Sequence, residues 1–211
     1  MDPMSETPGA HYFTTPQDEE RRSRIRVELR GREVTVETAG GVFSPKGLDK
    51  GTAILLEEVP DPTGTQLLDL GCGWGPVAIA MAQSAQTGAR VTAVDVNDRS
   101  LGLTRDNAAA AGLSGVEALR PEEVPGDRRY DTIWTNPPIR IGKDALHELL
   151  LLWLPRLADG GTAWLVVQKN LGADSLQSWV ADALPQAAEG LWTVRREATS
   201  KGFRILTVSR G

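Results

Sequence analysis

Residues 69–76 read Asp69-Leu70-Gly71-Cys72-Gly73-Trp74-Gly75-Pro76, and the segments on either side of them decide the fold. Gln66 to Leu70 is a short apolar run of strand character, and Val77 to Gln86 is apolar at helical spacing. Glycines 71, 73 and 75 form the turn between them, where the backbone can take positive φ and a ligand can approach without a Cβ in the way. Pro76 costs nothing at the helix start, because its missing N–H would be unpaired there anyway. In an open α/β sheet such a turn lies beyond the carboxyl end of a strand, where ligands bind. The helix N-terminus behind it favours a carboxylate.

Working outward, the chain alternates. Strand-like runs at 66–70, 90–94, 116–119, 130–135 and 162–167 are separated by helical stretches at 77–86, 99–111, 144–157 and 175–184. This predicts parallel strands joined by right-handed crossovers, a doubly wound α/β sheet. The last two strands, 191–196 and 203–209, leave no room for a helix around 199–202 and should pair antiparallel at the sheet edge. Upstream, 24–29 and 33–38 alternate strictly about Arg30-Gly31-Arg32, which predicts a hairpin, and 52–59 reads as a helix closing over the core. The expected organisation is a flexible N-terminus at 1–20, a hairpin with cap helix at 21–60, and the core domain at 61–211. The fold class is therefore α/β, a Rossmann-like seven-stranded sheet with an antiparallel C-terminal hairpin and an N-terminal β-hairpin extension.

Bulk properties exclude several alternatives. The 211 residues are 40% hydrophobic and 24% charged, near the globular norm. No apolar run nears the ~20 residues of a membrane span, and the first residues lack the pattern of a secretory signal, so no membrane partner is expected. A single cysteine, Cys72, excludes an intramolecular disulfide and fits a cytoplasmic protein. One Cys with two His (His11 and His147) predicts no metal site. The net charge of −5 argues mildly against coating bare nucleic acid by charge alone. The basic residues are uneven, however, with arginines at 21, 22, 24, 26, 30 and 32 and a second run at 195, 196, 201, 204 and 210. Two such runs converging on one side would suit a phosphate backbone; a solvated face is the plainer reading.

The glycine turn spaces its residues G-x-G-x-G, not the G-x-G-x-x-G that accommodates a pyrophosphate. Asp69, two residues before Gly71, could accept a hydrogen bond from an ammonium or a bound water. Some 26 residues further on, in Val94-Asp95-Val96-Asn97, Asp95 can take both hydroxyls of a ribose, with Val96 beside it in the same site. After the third core strand comes Arg120-Pro121-Glu122-Glu123, where enzymes that this chain resembles often carry an acid that meets an adenine amino group; Glu122 is the candidate, with Glu123 a close second. Cys72 reads as a small residue that packs in the turn, and Trp74 either covers the cofactor or only packs.

Asn136-Pro137-Pro138-Ile139 follows the fourth core strand and should stand at the same sheet edge. An amine conjugated to a ring or carbonyl is a poor nucleophile, because its lone pair is delocalised. Two acceptors aimed at its N–H bonds, the Asn136 side-chain oxygen and the Pro137 carbonyl, would hold it and turn its lone pair towards a sulfonium methyl. Each proline lacks an N–H and fixes φ, and each stiffens the residue before it. Ile139 can pack on a base but offers no π face, which shifts weight from adenine towards another flat amine, such as N2 of guanine. The two motifs together point to an S-adenosylmethionine-dependent N-methyltransferase.

With both motifs placed, the chain resembles the small-domain class I methyltransferases typified by the ribosomal small-subunit guanine-N2 enzymes (the RsmC-like group), most of all their compact single-domain members. The resemblance rests on His11-Tyr12-Phe13, on Gly41-Val42-Phe43-Ser44 with Asp49 and Gly51, and on Asn136 to Ile139 with Gly142-Lys143. It continues through Val167-Gln168-Lys169 and Lys201-Gly202-Phe203, and spans roughly 11–208. It implies cofactor contacts at Asp69, Gly71, Cys72, Gly73, Gly75, Asp95, Val96 and Glu122, with Gly51 and Thr52 closing over the methionine end. Asn136, Pro137, Pro138 and Ile139 would form the catalytic turn. The implied partner is RNA, ribosomal RNA or the small subunit, with the target base turned out of its stack. Alternatives are another amine substrate (protein glutamine, adenine or a small molecule) and a non-enzymatic RNA-binding assembly factor. Oligomeric state is left open. His147, beside Leu146 and Leu149, reads as a structural histidine and not a base.

Overall fold

The structure is a computed structural model that describes residues 21–211. The expectations for residues 1–20, including His11, Tyr12 and Phe13, lie outside the described residues.

Strands β1 (Arg22–Leu29) and β2 (Arg32–Ala39) pair antiparallel in a sheet of their own. Their two-residue turn, Arg30-Gly31, has positive φ at both positions (50° and 76°), the geometry whose twist matches the strands it joins. The apolar face of this hairpin (Val27, Leu29, Val36) is buried against the main body. Helix α1 (Lys50–Glu58) follows. It begins two residues before the expected 52, because Asp49 caps it, accepting from the Gly51 and Thr52 backbone N–H groups.

The main sheet has seven strands: β3 (Gln66–Leu70), β4 (Arg90–Val94), β5 (Val116–Leu119), β6 (Tyr130–Thr135), β7 (Leu157–Gln168), β8 (Trp192–Ser200) and β9 (Phe203–Arg210). Their order is β5-β4-β3-β6-β7-β9-β8, with β3 to β7 parallel and β9 antiparallel to both β7 and β8. The crossover helices are α2 (Pro76–Ser84), α3 (Asp98–Ala110), α4 (Lys143–Trp153) and α5 (Ala173–Ala187). The strand order reverses between β3 and β6, so the crevice of an α/β sheet opens there, between the glycine turn and Asn136.

Several boundaries differ from the sequence expectation (β8, for one, runs to Ser200 and not 196), and two of the differences have a clear physical cause. The helix expected at 144–157 ends at Trp153, because Pro155 cannot continue it; Leu154–Arg156 is a single 3-10 turn and Leu157 already belongs to β7. Strand β7 therefore starts five residues before the expected 162, through Asp159-Gly160-Gly161, residues that disguise a strand. At the other end, Lys201-Gly202 (φ 48° and 90°) closes β8 to β9 as tightly as Arg30-Gly31 closes the first hairpin.

Buried side chains fill both faces of the main sheet. One face packs the hairpin, α1 and α2, and the other packs α4 and α5. Asn107 of α3 fastens the hairpin: its side chain accepts from Glu37 N (2.7 Å) and donates to the carbonyls of Glu37 (2.8 Å) and Trp74 (2.9 Å). Asn97 donates to Gly41 O and Arg99 to Gly40 O, so the segment leaving β2 is led across the carboxyl end of the sheet. No helix among the described residues is long and apolar enough to cross a membrane.

Candidate active site

The glycine turn is held by hydrogen bonds from within the chain. Gly71 N and Cys72 N both donate to Val94 O (2.8 and 2.9 Å), Gly75 N donates to Cys72 O, and Gly73 N donates to the Asp95 carboxylate at 2.9 Å. Thr104 of α3 closes the far side, donating to Gly73 O at 2.9 Å. Trp74 is buried, and its indole N–H reaches Ser44 O at 3.3 Å, so it packs and ties the 40–48 segment to the turn. Cys72 is buried, and burial with the charges of Asp95 and Asp69 holds its thiol well above the usual range, which makes it inert.

Asp69 does not line the crevice. It is buried behind the turn, where one carboxylate oxygen accepts from Ala78 N in the first turn of α2 at 2.9 Å and the other has no protein partner. Burial pushes its pKa up to about 8 against the pull of the Ala78 N–H. The Ala78 amide at the start of α2 is thus taken by the chain's own carboxyl group.

A cavity of about 480 Å³ runs from this turn to the Asn136 turn. At one end it is bounded by Gly71, Asp95, Val96, Ser100 and Pro121, and at the other by Asn136, Pro137, Pro138, Ile139 and Phe203. Gly71 sits at φ 87° with open space where a Cβ would stand. Asp95 is half-buried, and burial pushes its pKa up while the N–H groups of Asn97, Gly73 and Val96 hold it back. Cys72, Gly73 and Thr52 border a smaller adjoining recess. Gly75 caps α2, Gly51 is buried at the start of α1, and Glu122 is exposed with its carboxylate 3.7 Å from Arg120; none of these three lines the main cavity.

The Asn136 turn is delivered by β6, whose Thr135 hydroxyl donates to Leu70 O at 2.7 Å and locks it to the end of β3. The Asn136 side-chain nitrogen donates to Asp49 Oδ2 (2.9 Å) and Thr52 Oγ1 (3.0 Å), which leaves its oxygen on the other side. The Pro137 carbonyl accepts from Ile139 N at 2.8 Å across Pro138 (φ −76°, ψ 70°), an inverse γ-turn. Neither proline supplies an N–H, but Ile139 does, so the Pro137 oxygen keeps one lone pair for a ligand, not two.

Several lining residues were not among the sequence candidates. Phe43 (46% exposed), Gln168, Leu171 and Phe203 border the cavity. All but Leu171 lie in or beside the quoted motifs, but a motif does not say which side chain turns inward. Leu149 and Trp153 of α4 pack in the core and also wall the cavity. His147 is elsewhere: its ring stacks on Trp179 (3.4 Å between centroids, 7° between planes), and burial lowers its pKa. Among the described residues no cluster of His, Cys, Asp and Glu could hold a metal ion.

The basic runs are largely paired off. Arg22 bonds Glu37 and Asp106, Arg24 bonds Glu37, and Arg30 bonds Asp61 and two carbonyls at the end of α1. In the second run, Arg196 and Arg204 share Asp174, Lys201 meets Glu57, and Arg210 meets Asp159.

A seven-stranded sheet with an antiparallel final hairpin, a glycine turn after its first parallel strand and an Asn-Pro-Pro turn after its fourth define a methyltransferase of the Rossmann-like class. The chain belongs to the methyltransferase small domain family, whose model matches residues 33–207. It is 31% identical over 170 residues to the uncharacterized protein YbxB of Bacillus subtilis, covering 78% of this chain and 84% of that one. It is 32% identical over 192 residues to the ribosomal RNA small subunit methyltransferase C of Pseudomonas paraeruginosa, covering 89% of this chain and 54% of the relative. The match to the Shewanella amazonensis protein of the same name is 30% over 162 residues, 75% of this chain and 47% of that one. The chain thus spans about half the length of these two relatives. In fold it is similar to the Thermus thermophilus 16S rRNA N2 G1207 methyltransferase (RsmC), solved in complex with AdoMet and guanosine, with a TM-score of 0.73 at 24% identity over 93% of this chain and 52% of that one.

Proposed function

We propose that the chain is an S-adenosylmethionine-dependent N-methyltransferase that acts on the exocyclic N2 of a guanine in ribosomal RNA. The observation that carries the reading is the Asn136 amide: with its nitrogen committed to Asp49 and Thr52, its oxygen is the group left for an amine in a cavity that also contains Asp95 and the glycine turn.

The cofactor fits the residues present. Asp95 borders the cavity, so a pyrophosphate is disfavoured there. Asp95 would take the ribose hydroxyls, Val96 and Pro121 the two faces of the adenine, and Glu122 its amino group. Gly71 leaves room for the methionine end, with Gly51 and Thr52 closing over it. When bound, S-adenosylmethionine supplies an electrophilic methyl group on a sulfonium. Asn136 Oδ1 and the free lone pair of the Pro137 carbonyl accept the two N–H bonds of the target amine, which localises electron density on nitrogen and turns its lone pair towards the methyl. Fixed acceptors and near-attack placement provide the acceleration. The proton leaves the methylated nitrogen for solvent afterwards, so no tuned general base is needed.

Guanine is favoured over adenine by Ile139, and RNA by the names of the relatives with which the chain shares its family. Arg140 at the cavity mouth and exposed Lys143 and Lys169 would meet phosphates.

The test incubates purified protein with methyl-labelled S-adenosylmethionine and extract fractions from a strain lacking its gene, beside Asn136→Ala. Each product is split between nuclease and protease. Label released by nuclease and recovered as N2-methylguanosine is the expected result. Label released by protease would move the substrate to a protein amide. No label, with cofactor still bound, would leave an assembly factor.

A further inference from the structure

We infer that Asp49 is a positioning residue for the methyl transfer: its carboxylate selects which end of the Asn136 amide faces the target amine. The inference rests on the N-methyltransferase reading above.

An asparagine amide offers an acceptor at one end and donors at the other, and the two ends are nearly isosteric. Only the orientation with oxygen towards the substrate is productive, since an NH2 facing an amine would set donors against donors. Asn136 sits half-buried at the cavity edge, and its backbone does not decide this orientation. Its neighbours do. A carboxylate accepts and does not donate, so the group 2.9 Å from Asp49 Oδ2 is the amide nitrogen. Thr52 Oγ1, 3.0 Å from the same nitrogen, takes the second N–H, and neither N–H is left for a ligand. The reversed amide would place its oxygen against Asp49 Oδ2, two acceptors at hydrogen-bond distance with no proton between them.

Asp49 can hold this post because it is itself fixed. The same oxygen accepts from Gly51 N (2.7 Å) and Thr52 N (3.1 Å) as the cap of α1. The site also has no slack. A Cβ on Gly51 would lie 3.0 Å from Asp49 Oδ2, 3.3 Å from Asn136 Nδ2 and 3.2 Å from the Phe203 ring, so the carboxylate and amide close over a position where only glycine fits without displacing them. Helix α1 is thereby coupled through one oxygen to the turn at the end of β6, 87 residues further on. Negative charge behind the amide nitrogen also polarises the amide and strengthens its oxygen as an acceptor.

Two substitutions separate this role from simple helix capping. Asp49→Ser retains a side-chain oxygen that can cap Gly51 and Thr52, but it is too short to reach Asn136. Asp49→Asn retains an oxygen that can serve all three donors. The expected result for Asp49→Ser is a kcat lower by about 10²-fold, the scale of losing one aimed group in an active site. Its dissociation constant for S-adenosylmethionine and its thermal midpoint should stay at the wild-type values. Asp49→Asn should recover most of the loss. Wild-type kcat in Asp49→Ser would reduce Asp49 to a helix cap and overturn the inference. A loss appearing as weakened cofactor binding would overturn it as well, by making Asp49 a cofactor ligand.

The second readout needs no substrate. In the cofactor-free protein, the Asn136 side-chain NH2 signals, assigned by their disappearance in Asn136→Ala, should be shifted and protected from exchange in wild type and Asp49→Asn. In Asp49→Ser they should move to free-amide values. Protection in all three proteins would overturn the inference. Because this measurement does not depend on turnover, protein that shows the amide pattern but methylates nothing refutes the proposed function alone.

Discussion

The two ends of the cavity are built on opposite plans. At the β3–β4 end the backbone is satisfied from within: Gly71, Cys72, Gly73 and Gly75 all spend their N–H groups on the chain itself, and a buried carboxylate stands behind them. At the β6 end most of the wall is apolar (Ile139, Leu149, Trp153, Leu171), and beside Gln168 and Arg140 the turn itself offers one side-chain oxygen and one half-used carbonyl. The first end can bind without being asked to react, and the second has little to bind with beyond what it needs for the transfer. Affinity and rate should therefore be separable by mutation.

The sharpest break is a pair of substitutions. Asn136→Ala should lower turnover by about 10³-fold while leaving the cofactor dissociation constant within about twofold. Asp95→Ala should weaken cofactor binding about 10- to 100-fold, the worth of one or two hydrogen bonds to a charged group, with most of the rate restored at saturating cofactor. Calorimetry with steady-state kinetics reads both. If cofactor binding vanished with turnover in Asn136→Ala, the division between the two ends would be wrong.

The next effect tests the buried carboxylate. Asp69 has its pKa raised from the ordinary 3.8 to about 8 by burial. Between those values the folded protein holds a proton that the unfolded chain has released, so this group makes stability fall as pH rises from about 4 to about 8, and level off above. Asn at position 69 can still accept from Ala78 N and carries no charge. Denaturant titrations of the cofactor-free proteins should show the stability of Asp69→Asn gaining on wild type by on the order of a few kcal/mol from pH 4 to pH 8. Parallel curves would mean that water reaches the unpartnered oxygen.

The difference between the ends also explains how far the sequence could be read. Four of the five parallel strands, 66–70, 90–94, 116–119 and 130–135, have the bounds the sequence predicts; all but the edge strand 116–119 are buried on both faces and read as near-continuous apolar runs. The early start of β7 escaped because Gly160 and Gly161 read as a loop. The glycine turn was legible since its chemistry is local. The Asp49–Asn136 pair was not: residues 87 apart meet only after α1 is laid against the sheet, and no spacing rule encodes that. For the same reason the arginine runs were visible, while their pairing with Glu37, Asp106 and Asp174 was not.

Asn107 shows what such a long-range contact is worth. It joins the hairpin to the glycine turn through three hydrogen bonds, and truncation leaves the buried Trp74 carbonyl and the half-buried backbone groups of Glu37 unpartnered. Asn107→Ala should cost about 2–3 kcal/mol in chemical denaturation. Arg24→Ala breaks an exposed pair with Glu37 and should cost under about 1 kcal/mol. Equal losses would mean that surface charge, not the buried amide, holds the extension in place.

The smallest effect concerns the adenine end. Glu123 is committed to its own turn, its carboxylate accepting from Arg120 N at 2.7 Å. Glu122 is held only by a 3.7 Å approach to Arg120 and is largely exposed, so of the two it is the one free to swing onto an adenine amino group. Such a contact would be made at the protein surface, in competition with water and with Arg120, and should contribute little. Glu122→Ala should raise the cofactor dissociation constant by about threefold with kcat unchanged, and Glu122→Gln should match wild type, since either oxygen can accept from an amino group. Glu123→Ala should loosen the 121–123 turn and act on binding only through Pro121. If Glu123→Ala weakened binding more than Glu122→Ala, the adenine end would be held by the shape of its turn and not by a carboxylate. It would then follow the same plan as the glycine turn beside it.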